Sequence, residues 1–272
     1  MKNGMGKLTF ISVSLIILGL VFSSPGYTVD KESIVLAWTF EEGQGTTVKD
    51  LSGNGNDGEI VGGQWATGKF GGGYELLGAD TSIASATANG VGATYLAETL
   101  WVKYNNFDTE NQFGYISCTG TASARFFYFS TWVSGGPPHD GIHLGTIKTD
   151  GGWGRGIGVP SGVFQPDQWY FVAGVINNET GVTRAYVDGE LRHEQNFDIG
   201  DTPGTPTEIW VGGTPEGYQW INGTIDEVAF YNVALTEDDI NSIMNNGLAT
   251  VVAAVDPLSK LTTTWGKIKN VR

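Results

Sequence analysis

From Ile34 onward, short apolar runs of five to nine residues recur between clusters of Gly, Asn, Asp and Pro. That spacing suits strands joined by tight turns, and no long helical period competes with it. The chain is therefore read as an antiparallel sandwich or barrel. Glycine, at 41 of 272 residues, supplies the turns, while a hydrophobic content of 40% and aromatics at 12% are enough for a packed core. Intrinsic disorder is thereby excluded for most of the chain, and the length fits one large all-β domain.

Strands are expected over Ile34–Phe40, Gly73–Leu77, Glu98–Tyr104, Phe113–Thr119, Arg125–Trp132, Gly141–Ile147, Gln168–Ile176, Arg184–Val187, Ile209–Gly212 and Gly223–Tyr231. In the seventh, Trp169, Phe171, Ala173 and Val175 share one face and Tyr170, Val172 and Ile176 the other, so this strand lies inside a sheet covered on both sides. Asp188-Gly189, between Arg184–Val187 and Glu190–Arg192, marks a two-residue hairpin turn. One helix is expected, covering an end of the sandwich. Thr236 caps it, Asp239 completes a capping box, Ile240, Ile243 and Met244 form its stripe, and Gly247 ends it. Trp38, Trp101 and Trp169 sit in apolar strand patterns and are assigned to the core.

Lys2 and Lys7 precede the fifteen-residue apolar run from Leu8 to Phe22, followed by Ser23, Ser24, Pro25 and Gly26. That order is a secretory signal peptide over residues 1–26, and the run is short of the ~20 residues needed to span a bilayer. The expected location is outside the cell or at its surface, with no membrane insertion of the mature chain. A formal net charge of -14 argues against nucleic-acid partners. Cys118 is the sole cysteine, so no intrachain disulfide forms; in its strand context it reads as a buried, inert thiol. Past Ala254 the pattern lapses into a basic tail with Lys260, Lys267, Lys269 and Arg272. The tail, taken as residues 249–272, is left as disordered, docked through Trp265, or an address. Asn178-Glu-Thr180 and Asn222-Gly-Thr224 match the N-glycosylation pattern and decide nothing.

Three stretches carry a family resemblance. The first is Leu36-Ala-Trp-Thr-Phe-Glu-Glu-Gly-Gln-Gly45 with Asp50-Leu-Ser-Gly-Asn-Gly-Asn-Asp-Gly58. The second is Trp169-Tyr-Phe-Val-Ala-Gly174 with Tyr186-Val-Asp-Gly189, and the third Gly223-Thr-Ile-Asp-Glu-Val-Ala-Phe-Tyr231 with Ala234-Leu-Thr-Glu237. In this order they resemble the laminin-G-like, concanavalin A-like lectin/glucanase jelly rolls over roughly residues 33–248. The resemblance implies an all-β, two-sheet antiparallel jelly roll sandwich with about six or seven strands per sheet. It also implies a concave sheet with a rim of binding loops, a calcium ion where the first loop meets the last strand, and extracellular carbohydrate or glycoconjugate recognition.

Asp50, Asn54, Asn56 and Asp57 crowd acceptor oxygens among Gly53, Gly55 and Gly58, which suits a hard cation wanting six to eight oxygens. The same composition also suits a run of Asx turns. An EF-hand is a poor fit, since Val61 stands twelfth from Asp50 where a bidentate Glu is needed. By resemblance the distant partner is Asp226 with Glu41 near it, so the expected calcium ligands are Glu41, Asp50, Asn54 and Asp226. For a carbohydrate, Trp132, His139, Trp153, Tyr218 and Trp220 stand beside Gly, Pro or polar residues and are the candidate ligand contacts. Trp153 could equally plug the end of the sandwich. His139 and His143 lie four apart but not on a helix, which does not favour zinc.

Glycosidases also occur on such jelly rolls, but the Glu-x-Asp-x-x-Glu run of the retaining enzymes is missing here. Asp226 and Glu227, being adjacent, are expected to face opposite sides of a strand. No Gly-x-Ser-x-Gly elbow is present. The sequence therefore reads as a lectin-like binding module rather than an enzyme. Its expected partner is an extracellular carbohydrate or glycoprotein; the alternatives are a surface adhesion protein with a protein partner, or a glycoside hydrolase.

Overall fold

A computed structural model describes residues 29–92, 94–107, 115–119, 125–131, 140–147, 153–197, 206–215 and 220–254, with side chains left aside at 115–119, 125–126, 147, 153–155 and 254. Among these residues the strands are β1 Ile34–Trp38, β2 Thr47–Val48, β3 Gly58–Val61, β4 Gln64–Thr67, β5 Gly72–Leu77, β6 Ser82–Ser85, β7 Tyr95–Tyr104 and β8 Tyr115–Thr119. There follow β9 Arg125–Ser130, β10 Ile142–Ile147, β11 Trp153–Val159, β12 Trp169–Asn177, β13 Val182–Val187, β14 Glu190–Asn196, β15 Glu208–Val211 and β16 Asn222–Tyr231. Two helices close the described chain, α1 Glu237–Asn246 and α2 Leu248–Ala254.

The strands form two eight-stranded sheets among the described residues, one or two strands more in each than the resemblance implied. The first runs β14-β13-β12-β7-β16-β5-β4, with β1 also paired to β16. The second runs β11-β10-β9-β8-β15-β6-β3-β2. All pairings are antiparallel. β16 serves two neighbours on one side: Asn222–Ile225 pair with β5, and Val228–Tyr231 pair with β1.

Period-two alternation decides what each face of the second sheet meets. Ile60, Ile83, Val211, Phe129, Leu144 and Ile157 lie in one cross-strand row and all belong to the core between the sheets. The first sheet contributes Leu36, Trp38, Leu100, Val102, Val172, Ile225 and Phe230 to that core. Trp38 is fully buried and donates its indole N–H to the Asn56 carbonyl at 2.9 Å. Burying each such apolar side chain stabilises by ~1.5–3 kcal/mol before entropy is charged against it.

The first sheet is covered on its other face too. Ala97, Trp101, Phe171, Ala173, Val175, Tyr186, Ala229 and Tyr231 pack with Leu235, Ile240, Ile243, Leu248 and Val251. The helices therefore lie over a sheet face, where the sequence had placed one helix at an end of the sandwich. The double cover explains why β12 is apolar on both sides. Trp38 and Trp101 are buried as expected, whereas Trp169 is only half-buried, with the Lys103 ammonium 5.3 Å from its ring.

Local signals hold where they were strongest. Asp188 and Gly189 have φ of 52° and 80°, and the Asp188 carboxylate accepts the Phe171 N–H at 2.9 Å, tying the hairpin to β12. Thr236 and Asp239 form the reciprocal capping box, and Gly247 ends α1 with φ 76°. The basic tail lies outside the described residues beyond α2. No helix among them is long and apolar enough to cross a membrane.

Candidate functional site

The expected calcium ligands fall into two groups. Asp50 and Asn54 belong to a hydrogen-bonded loop beneath β1. Asp50 Oδ1 accepts the N–H groups of Ala37 at 3.0 Å and Ser52 at 2.9 Å; Oδ2 accepts the Ser52 hydroxyl at 2.8 Å and the Asn56 N–H at 3.0 Å. The Asn54 amide donates to the Ile34 and Val35 carbonyls. Asn56, fully buried, donates to the Val35 and Asn89 carbonyls and accepts from Thr87 Oγ1 and the Asn89 N–H. Asp57 accepts the Asp50 N–H at 2.9 Å and pairs with Lys49. This is the Asx-turn outcome extended into a network: the carboxylate of Asp50 has a donor in each of its four acceptor directions.

Glu41 and Asp226 both bind the loop of residues 68–72. Asp226 Oδ2 accepts the N–H groups of Lys69 at 2.8 Å and Phe70 at 2.9 Å, and Glu41 Oε1 accepts the Gly72 N–H at 3.0 Å. Asp226 Oδ1 is buried without any partner. Beside it, Glu227 accepts the Leu248 N–H at the start of α2.

The sequence expected Asp226 and Glu227 to face opposite sides of a regular strand. Instead the register of β16 shifts between Asp226 and Ala229, and Glu227 adopts φ 55°, so alternation is broken there. Both side chains end up buried and each feels its acidic surroundings. Desolvation, with the Glu227 charge adding to it, pushes Asp226 up to about 8; desolvation, with Glu41 adding, pushes Glu227 up to about 7.

An unpartnered buried carboxylate oxygen amid further carboxylates suits a hard cation. No three acidic, His or Cys side chains among the described residues are grouped as a complete ligand set.

The candidate ligand face is the outer side of the second sheet. One cross-strand row there reads Glu59, Ala84, Trp210, Ser117, Tyr128, Gly145 and Gly156, each directly opposite the next. The next row places Ser130, His143 and Gly158 in register. Tyr128 Oη lies 3.2 Å from His143 Nε2, with ring centroids 5.0 Å apart. Both polar atoms would stand 3.2 Å from a β-carbon at Gly156, so the bare glycine lets the pair lie close against β11. Burial lowers His143 to about 4, leaving a neutral imidazole at ordinary pH. Trp210 is half-buried, and its indole N–H is buried without a partner.

Of the expected ligand contacts, Trp132, His139 and Tyr218 lie outside the described residues, as does the side chain of Trp153, whose backbone pairs with Ile147 at one end of β11. Trp220 is half-buried beside Gly213, near Ser82 at one end of the second sheet. Sequence reasoning passed over Trp210. The signal was available: with Ile209 and Val211 turned inward, alternation turns Trp210 outward.

Comparison with solved structures finds the same fold. The binding domain of botulinum neurotoxin serotype D matches with a TM-score of 0.63 at 15% identity, over 80% of this chain and 53% of that one. The ligand-binding domain of the same serotype, in complex with N-acetylneuraminic acid, matches at 0.61 and 15% identity, over 80% of this chain and 52% of that one. Domain 4 of AbnA, an extracellular GH43 arabinanase from Geobacillus stearothermophilus in complex with arabinotriose, matches at 0.57 and 18% identity, over 78% of this chain and 98% of that one. The chain thus spans about half the length of the toxin domains it matches. No curated protein matches the sequence. The family model described as the concanavalin A-like lectin/glucanases superfamily, Laminin_G_3, matches residues 77–241, more than half of the chain. With two antiparallel sheets stacked around one core, the sequence match and the fold agree: this chain belongs to the concanavalin A-like lectin/glucanases superfamily.

Proposed function

We propose that the chain is a secreted, non-catalytic module that binds an extracellular glycan or glycoconjugate on the outer face of the second sheet. The observation that carries this reading is the difference between the two sheets. The first is buried on both faces, by the core and by α1 and α2. The second has no helix over its outer face among the described residues. There Trp210 and His143 are each half-buried, beside the exposed Gly156 and Gly158, while Tyr128, which holds His143 in place, is itself fully buried. Aromatic faces for the apolar side of a sugar ring, with a few fixed polar atoms for hydroxyls, are what carbohydrate sites use. Similar structures support the same reading: one holds N-acetylneuraminic acid and another arabinotriose. The rival reading, adhesion to a protein, draws on a similar toxin domain in complex with rat synaptotagmin II.

A glycan array with the purified mature chain, repeated with Trp210→Ala, tests the proposal. Sugar retention lost in the variant supports it. Absence of retention on every glycan, with capture of a protein ligand, would favour the adhesion reading, and hydrolysis of a polysaccharide would restore the enzyme. Export with cleavage after Gly26, read by mass spectrometry of the secreted protein, tests the signal peptide.

The calcium part of the proposal rests on Asp226 and Glu41, with main-chain oxygens completing the set, and its role is to pin loop 68–72 to β16. Calcium stabilises by binding only the folded state, so a chelator lowers the melting temperature and Asp226→Asn abolishes the response. No shift in the parent protein would remove the ion from the account.

A further inference from the structure

The spacing of the rings on the outer face of the second sheet bears on the size of its ligand, and this inference rests on the reading that the face binds glycan. Trp210 on β15 and His143 on β10 both turn outward, because their neighbours Ile209, Val211, Ile142 and Leu144 belong to the core. Each ring is half-buried. Between them run β8 and β9, so three interstrand steps of ~4.8 Å separate the two, a width of ~14 Å. They also stand one row apart, ~7 Å along the strands, since Trp210 counts across to Tyr128 while His143 is opposite Ser130.

A third ring extends the series. A β-carbon at Gly213 would meet Trp220 Cδ1 at 3.2 Å and the Ser82 β-carbon at 3.3 Å, and Trp220 is half-buried there. Ser82 is two residues along β6 from Ala84, the residue opposite Trp210, so the two indoles serve neighbouring rows ~7 Å apart. Past His143 the next strand offers Gly156 and Gly158, both exposed and without side chains.

A single sugar ring is about as wide as one interstrand step. It can lie against one of these aromatic groups and cannot reach from Trp210 to His143. A chain of about four rings laid across the strands covers the distance. Stacking at one point contributes modestly, and one ligand that joins several points makes each later contact intramolecular. We infer that the ligand is the interior of a linear oligosaccharide, bound across β15, β8, β9 and β10, and not a single terminal sugar.

The test is calorimetry of the mature chain against ladders from monomer to hexamer, cut from arabinan, xylan, glucan, mannan, galactan, hyaluronan and any further glycan that an array retains. Affinity should rise at least about tenfold from monomer to tetramer and then level off. Trp210→Ala and His143→Ala should each cost about tenfold with the hexamer. Gly158→Val is the milder change. Among the described residues a β-carbon there meets only the Ile142 carbonyl oxygen, at 3.7 Å, so the fold accepts it while the side chain stands in the ligand's path. It should weaken the tetramer and hexamer and leave the dimer unchanged. A monomer bound as tightly as the hexamer, with binding still lost in Trp210→Ala, would overturn this inference and leave the glycan reading standing. A length dependence that survives both His143→Ala and Gly158→Val would overturn the path across the sheet. No binding to any ladder or to any glycan on the array would take down the glycan reading and this inference with it.

Discussion

Replacing Asp50 with alanine removes an acceptor that serves four donors at once, three of them backbone N–H groups at Ala37, Ser52 and Asn56. Ala37 and Asn56 have no solvent exposure and Ser52 has little, so water cannot readily replace the lost acceptor. Each buried donor left without a partner costs about 1–3 kcal/mol, and since Asp50 is itself half-buried the variant should lose about 3–5 kcal/mol in all. In equilibrium unfolding by urea that corresponds to a fall in midpoint of about 1–2 M, with the slope unchanged. Asp50→Asn should cost less, because its remaining amide oxygen still serves one pair of donors while its NH2 opposes the other. The donors belong to the protein and not to an ion, so the loss should be the same in calcium and in a chelator. A loss under about 1 kcal/mol, or one that disappears on chelation, would refute the reasoning.

Glu98 is fully buried on β7, opposite Gly174 and Phe230, and neither of its carboxyl oxygens has a partner, so desolvation raises its pKa well above 4.5. A raised carboxyl contributes stability below its ordinary value and loses it as pH rises through the folded-state value. Urea midpoints of the parent should therefore fall as pH rises above about 4.5, where the unfolded carboxyl ionises, and Glu98→Gln should flatten that fall; parallel curves would contradict this. Thr236→Ala breaks the capping box of α1 and should cost about 1 kcal/mol by the same assay. Gly156→Ala puts a methyl 3.2 Å from both Tyr128 Oη and His143 Nε2. The variant should stay folded by circular dichroism yet lose glycan affinity, and unchanged affinity would move the site away from this pair.

Where local chemistry and long-range packing agreed, the sequence could be read. The Asp188-Gly189 turn, the Thr236 cap and the two-faced β12 each announce themselves within a few residues, because turn φ, capping and double burial all constrain residue type. The strands that escaped notice lack such constraints. β4, an edge strand, is at most half-buried, and β14 at the opposite edge, legible only as the short second arm of the Asp188-Gly189 hairpin, is exposed along nearly its whole length. β11 is interrupted by glycines, of which Gly156 leaves room for the His143 and Tyr128 polar atoms. The eight acceptor-rich residues from Asp50 to Asp57 were ambiguous for a physical reason. Oxygens that suit a cation suit backbone N–H groups equally, and which they meet depends on where β1 and residues 87–89 pass. Asp226 and Glu41 hold the same loop, but the bulge that buries Glu227 beside Asp226 depends on β1 and β5 dividing one flank of β16, which no local pattern shows.

That divided flank governs assembly as well. β16 is the last strand synthesised among the described residues, yet it sits between β7 on one side and both β1 and β5 on the other. Until it emerges, β1 has no ladder to join, and β7 offers an open apolar edge on its free side. Contacts spanning almost the whole sequence must form late and together, which favours slow, all-or-none completion over growth from the amino-terminal end. A polypeptide crossing a membrane as an unfolded thread would keep that unfinished edge apart from its partner until passage was nearly done, and any truncation upstream of residue 222 should leave the domain permanently unclosed.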